Sequence, residues 1–96
     1  MNPYVTESSR RRTDAVKYED IGTNAALNAA DMRAAGNRTG AAAAYARAST
    51  HYRMSAAARR DASALPGGTG ADLWIAELLD ADADEYHGHA ATLSAE

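Results

Sequence analysis

No cysteine occurs in this chain of 96 residues, which excludes disulfides and thiolate metal ligands and leaves no redox compartment to read. Phenylalanine is absent as well, tryptophan occurs once and proline twice. Leu, Ile and Val together make up only about a tenth of the residues, below the usual globular share. No apolar run approaches the length of about 18 residues that a membrane-spanning helix needs. Arg10, Arg11 and Arg12 are not followed by an apolar stretch, so no secretory signal is read and the cytoplasm is the expected location. Lys17 is the sole lysine.

Alanine, at about a quarter of the chain, takes the place of the missing large side chains. It favours helix and lets helices approach closely, but each residue buries little apolar area. A core of this kind is marginal for a monomer, so a homo-oligomer or docking on a partner is expected. Plentiful Ala, Gly, Arg and Asp match GC-rich coding, which suggests a bacterium of that type or a phage or plasmid living in one. Charge is divided along the chain. Residues 1–60 hold all ten bases and five acids, whereas residues 61–96 hold eight acids and no base. The net charge of −3 therefore conceals a dipolar molecule.

Residues 1–17 are polar and without a period, and read as a flexible basic arm. The remainder, 18–96, reads as a single all-α domain. A first helix is expected over 23–35, capped by Thr23 or Asp20 and stopped by Gly36-Asn37. A second is expected over 39–65, capped by Thr39 and carrying Ala41, Tyr45, Ala48, Tyr52 and Ser55 as one stripe. Pro66 to Gly70 forms the linker, and Thr69 with Asp72 resembles a capping box opening a third, acidic helix over 70–93. Its expected apolar stripe is Ile75, Leu79, Ala83, Tyr86, Ala90 and Leu93, thickened by Trp74 and Leu78, with Gly88 a point of bending or fraying. The alanine-rich pair forms a helical hairpin.

The spacing Gly36-x4-Ala41-x3-Tyr45-x2-Ala48, with Ala29 and Met32 ahead of it, resembles a tetratricopeptide repeat, a helical hairpin of about 34 residues used in protein-binding scaffolds. The likeness covers about a third of the chain. It departs where Ala25, Asn28 and Arg53 stand in place of the family's usual Trp, Leu and Pro, and one unit alone makes no solenoid. The resemblance implies a protein-binding surface.

Groups that could carry chemistry are few. Asp80, Asp82, Asp84, Glu85, His87 and His89 are dense enough to suggest a divalent ion, and the Asp-x-Asp-x-Asp run is similar to the start of an EF-hand loop. Glu85 stands where that loop needs glycine and Ala91 where it needs a bidentate acid, so a solvated acidic face is expected, with no metal and no cofactor. Gly67-Gly68-Thr69-Gly70 lacks the lysine and the preceding strand of a phosphate loop. His51 has no Ser or Cys nucleophile at a recognisable spacing, so no enzyme activity is expected.

The expected function is a small interaction or accessory protein presenting a helical surface to a partner or to itself. Tyr45, Tyr52 and Trp74 would supply contact area, with a core place equally open to Tyr52 and favoured for Tyr45, and Arg47 and Arg53 would orient the partner through charge. An alternative reading is a nucleic-acid-associated regulator, with Arg10, Arg11 and Arg12 on phosphates and the acidic segment competing for the same basic surface. A third is an acidic mimic of nucleic acid.

Overall fold

Ala35, Gly36 and Asn37 turn the chain between two long helices. A computed structural model describes residues 6–95 as α1 (Glu7–Ala34), α2 (Arg38–Ala64) and α3 (Gly70–Ala95), with no strand among the described residues. At the end of α1 the Asn37 N–H donates to the Met32 carbonyl and the Gly36 N–H to that of Arg33, the two bonds of a Schellman stop. This closure needs a left-handed residue, and Gly36 has φ +83°. The Asn37 side chain then accepts from the Gly40 N–H at 3.0 Å, capping α2. The cap is thus Asn37 and not Thr39, because α2 already begins at Arg38, directly after the three-residue turn.

α1 begins sixteen residues earlier than its alanine-rich part suggests. The expected flexible arm is overturned for residues 7–17, which are helical; residues 1–5 lie outside the described residues. Neither Thr23 nor Asp20 caps α1, since both lie inside it; the cap is Thr6, whose hydroxyl accepts from the Ser9 N–H at 3.1 Å. The signal for the extension is a heptad of small residues, Ser8, Ala15, Gly22 and Ala29, all buried. Seven-residue spacing keeps them on one seam of a helix that packs along a partner.

That partner is α2. Both α1 and α3 pack along it and touch each other at few points, giving a thin, elongated body of 51 × 23 × 13 Å. Ala41, Ala44, Ala48, Ser55, Ala58 and Ala62 of α2 are buried, so the α1–α2 seam is small against small. The Ser55 hydroxyl donates to the Ala15 carbonyl at 2.6 Å, which requires close backbones. A Cβ at Gly22 would lie 3.3 Å from the Ala48 carbonyl oxygen and would overlap the Tyr52 ring.

The second seam, α2 on α3, carries the larger side chains. One cluster holds Ala29, Ala41, Ala44, Tyr45, Ala90 and Leu93; a second holds Tyr52, Ala56, Ala76, Leu79 and Ala83; the half-buried Tyr86 packs against both. On α3 the inward series is Asp72, Ala76, Leu79, Ala83, Tyr86, Ala90 and Leu93, alternating steps of four and three. Trp74 and Leu78, expected to thicken this stripe, lie outside it: both are exposed. Asp72 and Ala76 take the inward places because an arginine from α1 makes burial of the acid tolerable. α3 runs unbroken through Gly88.

Candidate interaction surface

The polar end of the body is fixed by Asp72, which has only 3% of its side chain exposed. Arg12 donates from Nε to its Oδ1 at 2.9 Å and from Nη2 to its Oδ2 at 2.7 Å, and the same Nη2 also donates to the Gly67 carbonyl at 2.8 Å. The Thr69 N–H donates to Asp72 Oδ2 at 3.1 Å, the carboxylate half of the capping box. Arg59 approaches to 3.8 Å, its Nε buried without a hydrogen-bond partner among the described residues. The Arg12 hydrogen bonds lead in holding the Asp72 carboxyl down at about 2, against the opposing effect of burial. Asp72 in turn raises the Arg12 pKa.

Further along, the acids of α3 meet the arginines of α2 within the same chain. Arg53 donates to Asp84 at 2.9 Å, and Arg60 pairs with Asp80. Exposed pairs of this sort contribute about 0–1 kcal/mol each and serve chiefly to set register. The bases that could have met phosphates are partly committed: Arg12 to Asp72, and Arg53 and Arg60 to α3. Arg10 and Arg11 are exposed on α1, as is Arg47 on α2.

Tyr45 and Tyr52 are both 7% exposed and belong to the core. Tyr45 stacks on Tyr86 at 6.1 Å and tilts against His89 at 5.1 Å, and Tyr52 meets Tyr86 edge-on at 5.3 Å. Tyr52 also shares a 2.7 Å hydrogen bond with Thr23 of α1, so its hydroxyl is satisfied where its ring is buried. Burial pushes the Tyr86 phenol up to about 12, with Tyr52, Asp82 and Glu85 adding to the effect. Of the five residues expected to contact a partner, the structure leaves Arg47, Arg53 and Trp74 exposed.

Trp74 is the most exposed large apolar side chain among the described residues, at 62%, and Leu73 and Leu78 beside it are each 48% exposed. Trp74 and Leu78 are one turn apart and share a face. Continued in steps of three and four, that face reads Ala71, Trp74, Leu78, Ala81, Glu85 and Gly88, every one exposed. It is a second heptad seam on α3, on the side away from α2. A sequence signal for it existed: α3 carries more large apolar residues than one seam can bury. Exposed Val16, Ile21, Leu27 and Met54 are separate from it, on α1 and α2.

Of the acidic cluster on α3, Asp80 and Asp84 turn to α2, and Glu85 lies 3.7 Å from His89. Among the described residues no group of three or more His, Asp or Glu converges as a metal site. His51 Nδ1 is bonded to the Arg47 carbonyl of its own helix at 2.9 Å. A groove of about 780 Å³ between the start of α2 and the end of α3 is lined largely by alanine, with Arg38, Thr39 and His87 among its polar groups. No helix among the described residues is long and apolar enough to cross a membrane. Comparison of the chain with protein-family models, curated proteins and solved structures finds no match.

Proposed function

We propose that this protein is a non-enzymatic interaction or accessory protein whose third helix offers its outward seam to a protein partner. The observation that carries this reading is the exposed Trp74–Leu78 pair, flanked by Leu73, on the first turns of α3. Tryptophan is among the residues that dominate binding energy at interfaces, and exposed apolar residues gathered on one face mark contact surfaces more often than scattered ones do. The remainder of the molecule supports α3 for this role: α2 carries it on an alanine and tyrosine seam, and the Arg12–Asp72 clasp holds its first turn. The likeness of the turn region to a tetratricopeptide hairpin agrees with a scaffold. Each helix is nonetheless longer than half of a unit of about 34 residues, being 28 and 27 residues for α1 and α2.

The nucleic-acid reading draws less support, because Arg12, Arg53 and Arg60 already face carboxylates of the same chain. A photo-crosslinking residue placed at position 74, with position 43 as an exposed control on α2, tests the proposal in cells of the native host. A discrete protein adduct from position 74 and none from position 43 is expected. Equal or absent crosslinking at both positions overturns it.

A further inference from the structure

We infer that the outward seam of α3 takes a basic amphipathic helix from another protein, in preference to a second copy of this chain. The inference rests on the reading of α3 as the contact element and adds the chemistry of the partner. The seam Ala71, Trp74, Leu78, Ala81, Glu85, Gly88 has the three-four spacing that receives the side chains of a parallel or antiparallel helix. Two of its later positions are small: Ala81 is one methyl, and Gly88 has no side chain and open space around it. A partner backbone can therefore approach closely at those two positions, with Glu85 between them facing its charges, while Trp74 and Leu78 supply the apolar area at the other end.

Charge selects the partner. α3 holds Asp72, Glu77, Asp80, Asp82, Asp84 and Glu85 and no Lys or Arg. Asp72, Asp80 and Asp84 are paired with arginines of α1 and α2. Among the described residues Glu77 and Asp82 meet no base in an ion pair, and Glu85 meets only His89, at 3.7 Å; Asp82 and Glu85 also act on the Tyr86 phenol. These three acids lie in or beside the outward seam, where the positions flanking a coiled-coil seam fix partner choice. A second α3 laid on the seam would bring Glu77, Asp82 and Glu85 against the same three acids, an arrangement that like charges oppose. A helix with leucine-type residues on one stripe and Lys or Arg on either side meets both the apolar and the ionic pattern.

Trp74 is the only tryptophan, so its emission reports directly on the seam. The probe is a synthetic amphipathic helix of about three heptads with Leu at the seam and Arg at the flanks, compared with the same peptide carrying Glu at the flanks. Titration of the full chain with the Arg peptide should shift Trp74 emission to the blue and saturate, and the Glu peptide should leave it unchanged. The triple variant Glu77→Lys, Asp82→Lys, Glu85→Lys should bind the Arg peptide at least about tenfold more weakly. Leu78→Glu should abolish the shift. Both variants change only exposed side chains, and circular dichroism confirms that they remain folded.

Equal response to the two peptides, or none to either, overturns the inference. So does a blue shift that grows with protein concentration alone and vanishes in Leu78→Glu, because the occupant is then a second copy. A crosslinked partner that contacts position 74 through a segment without bases also overturns it, while leaving the interaction reading in place.

Discussion

The Asp72 carboxylate receives two hydrogen bonds from one Arg12 side chain, sixty positions away in sequence, and so joins the first turns of α1 to the first turn of α3. α1 and α3 make few other contacts, and this clasp is what ties the polar end of the body together. Replacing Asp72 with Asn keeps the shape but removes the charge from a site built for it. Asp72→Asn is expected to destabilise the fold by about 1–3 kcal/mol, the lower end applying because Arg12 is partly exposed to water. Urea unfolding at neutral pH measures it.

The same pair sets an acid limit. The Asp72 pKa is about 2 in the folded chain, against an ordinary value of about 3.9 in an unfolded one. Its contribution is fully present above about pH 5 and is lost as pH falls through 4 towards 2, because the unfolded chain takes up the proton first. Unfolding curves across that window should therefore slope less for Asp72→Asn than for the parent chain. Identical slopes would assign the acid sensitivity to other carboxylates.

Gly22 and Gly88 predict opposite outcomes for one substitution. A methyl at 22 would run into the Tyr52 ring and the Ala48 carbonyl, and Tyr52 cannot retreat because Tyr86 packs edge-on against it. Gly22→Ala gains about 1 kcal/mol of helix propensity but forces the α1–α2 seam apart, a cost of about 1–3 kcal/mol. Net destabilisation is expected. Gly88→Ala meets open space and should stabilise by about 0.5–1 kcal/mol. Thermal melts of the two variants decide the matter, and a gain at both positions would mean that the seam has slack.

Much of the architecture is legible in the sequence, for identifiable reasons. Gly36-Asn37 and Pro66-Gly67-Gly68 are local signals, so three helices and their breaks follow from backbone chemistry alone. The α2 stripe was legible through Tyr45, Tyr52 and the alanines between them. What escaped was carried by pairs distant in sequence. Residues 7–17 have no apolar period, and their helix becomes visible only once Ser8 and Ala15 are seen as small residues against α2. Asp72 reads only as the capping acid of Thr69 until Arg12 is brought beside it. Trp74 and Leu78 read as core because large apolar residues usually are, and only the inward series through Asp72 and Ala76 displaces them. Of the expected contact residues, Trp74 is exposed for that reason, whereas Tyr45 and Tyr52 were drawn inward by Tyr86.

Tyr52 links both seams, since its hydroxyl meets Thr23 of α1 while its ring meets Tyr86 of α3. Tyr52→Phe removes only the hydrogen bond and leaves Thr23 able to turn to water, because Thr23 is exposed. A loss of about 0.5–1.5 kcal/mol is expected. In a double-mutant cycle with Thr23→Val most of that loss should appear as coupling between the two positions. Additive losses would place the cost of Tyr52→Phe elsewhere in its packing.

Tyr86 sets the alkaline limit as Asp72 sets the acid one. Its phenol is pushed up to about 12, first by burial and then by Tyr52, Asp82 and Glu85, whereas a tyrosine in an unfolded chain ionises near 10. Between those values the folded chain keeps a proton that the unfolded chain releases. Stability therefore falls as pH rises through 10 towards 12, the reverse of the sign for Asp72. Tyr86→Phe retains the ring against Tyr45 and Tyr52 and removes the ionisation. Denaturant midpoints for this variant should depend less on pH above 10 than those of the parent chain, and absorbance at the phenolate band should lose its highest-pH step. Retention of both the step and the slope in Tyr86→Phe would place the high-pH transition on another tyrosine.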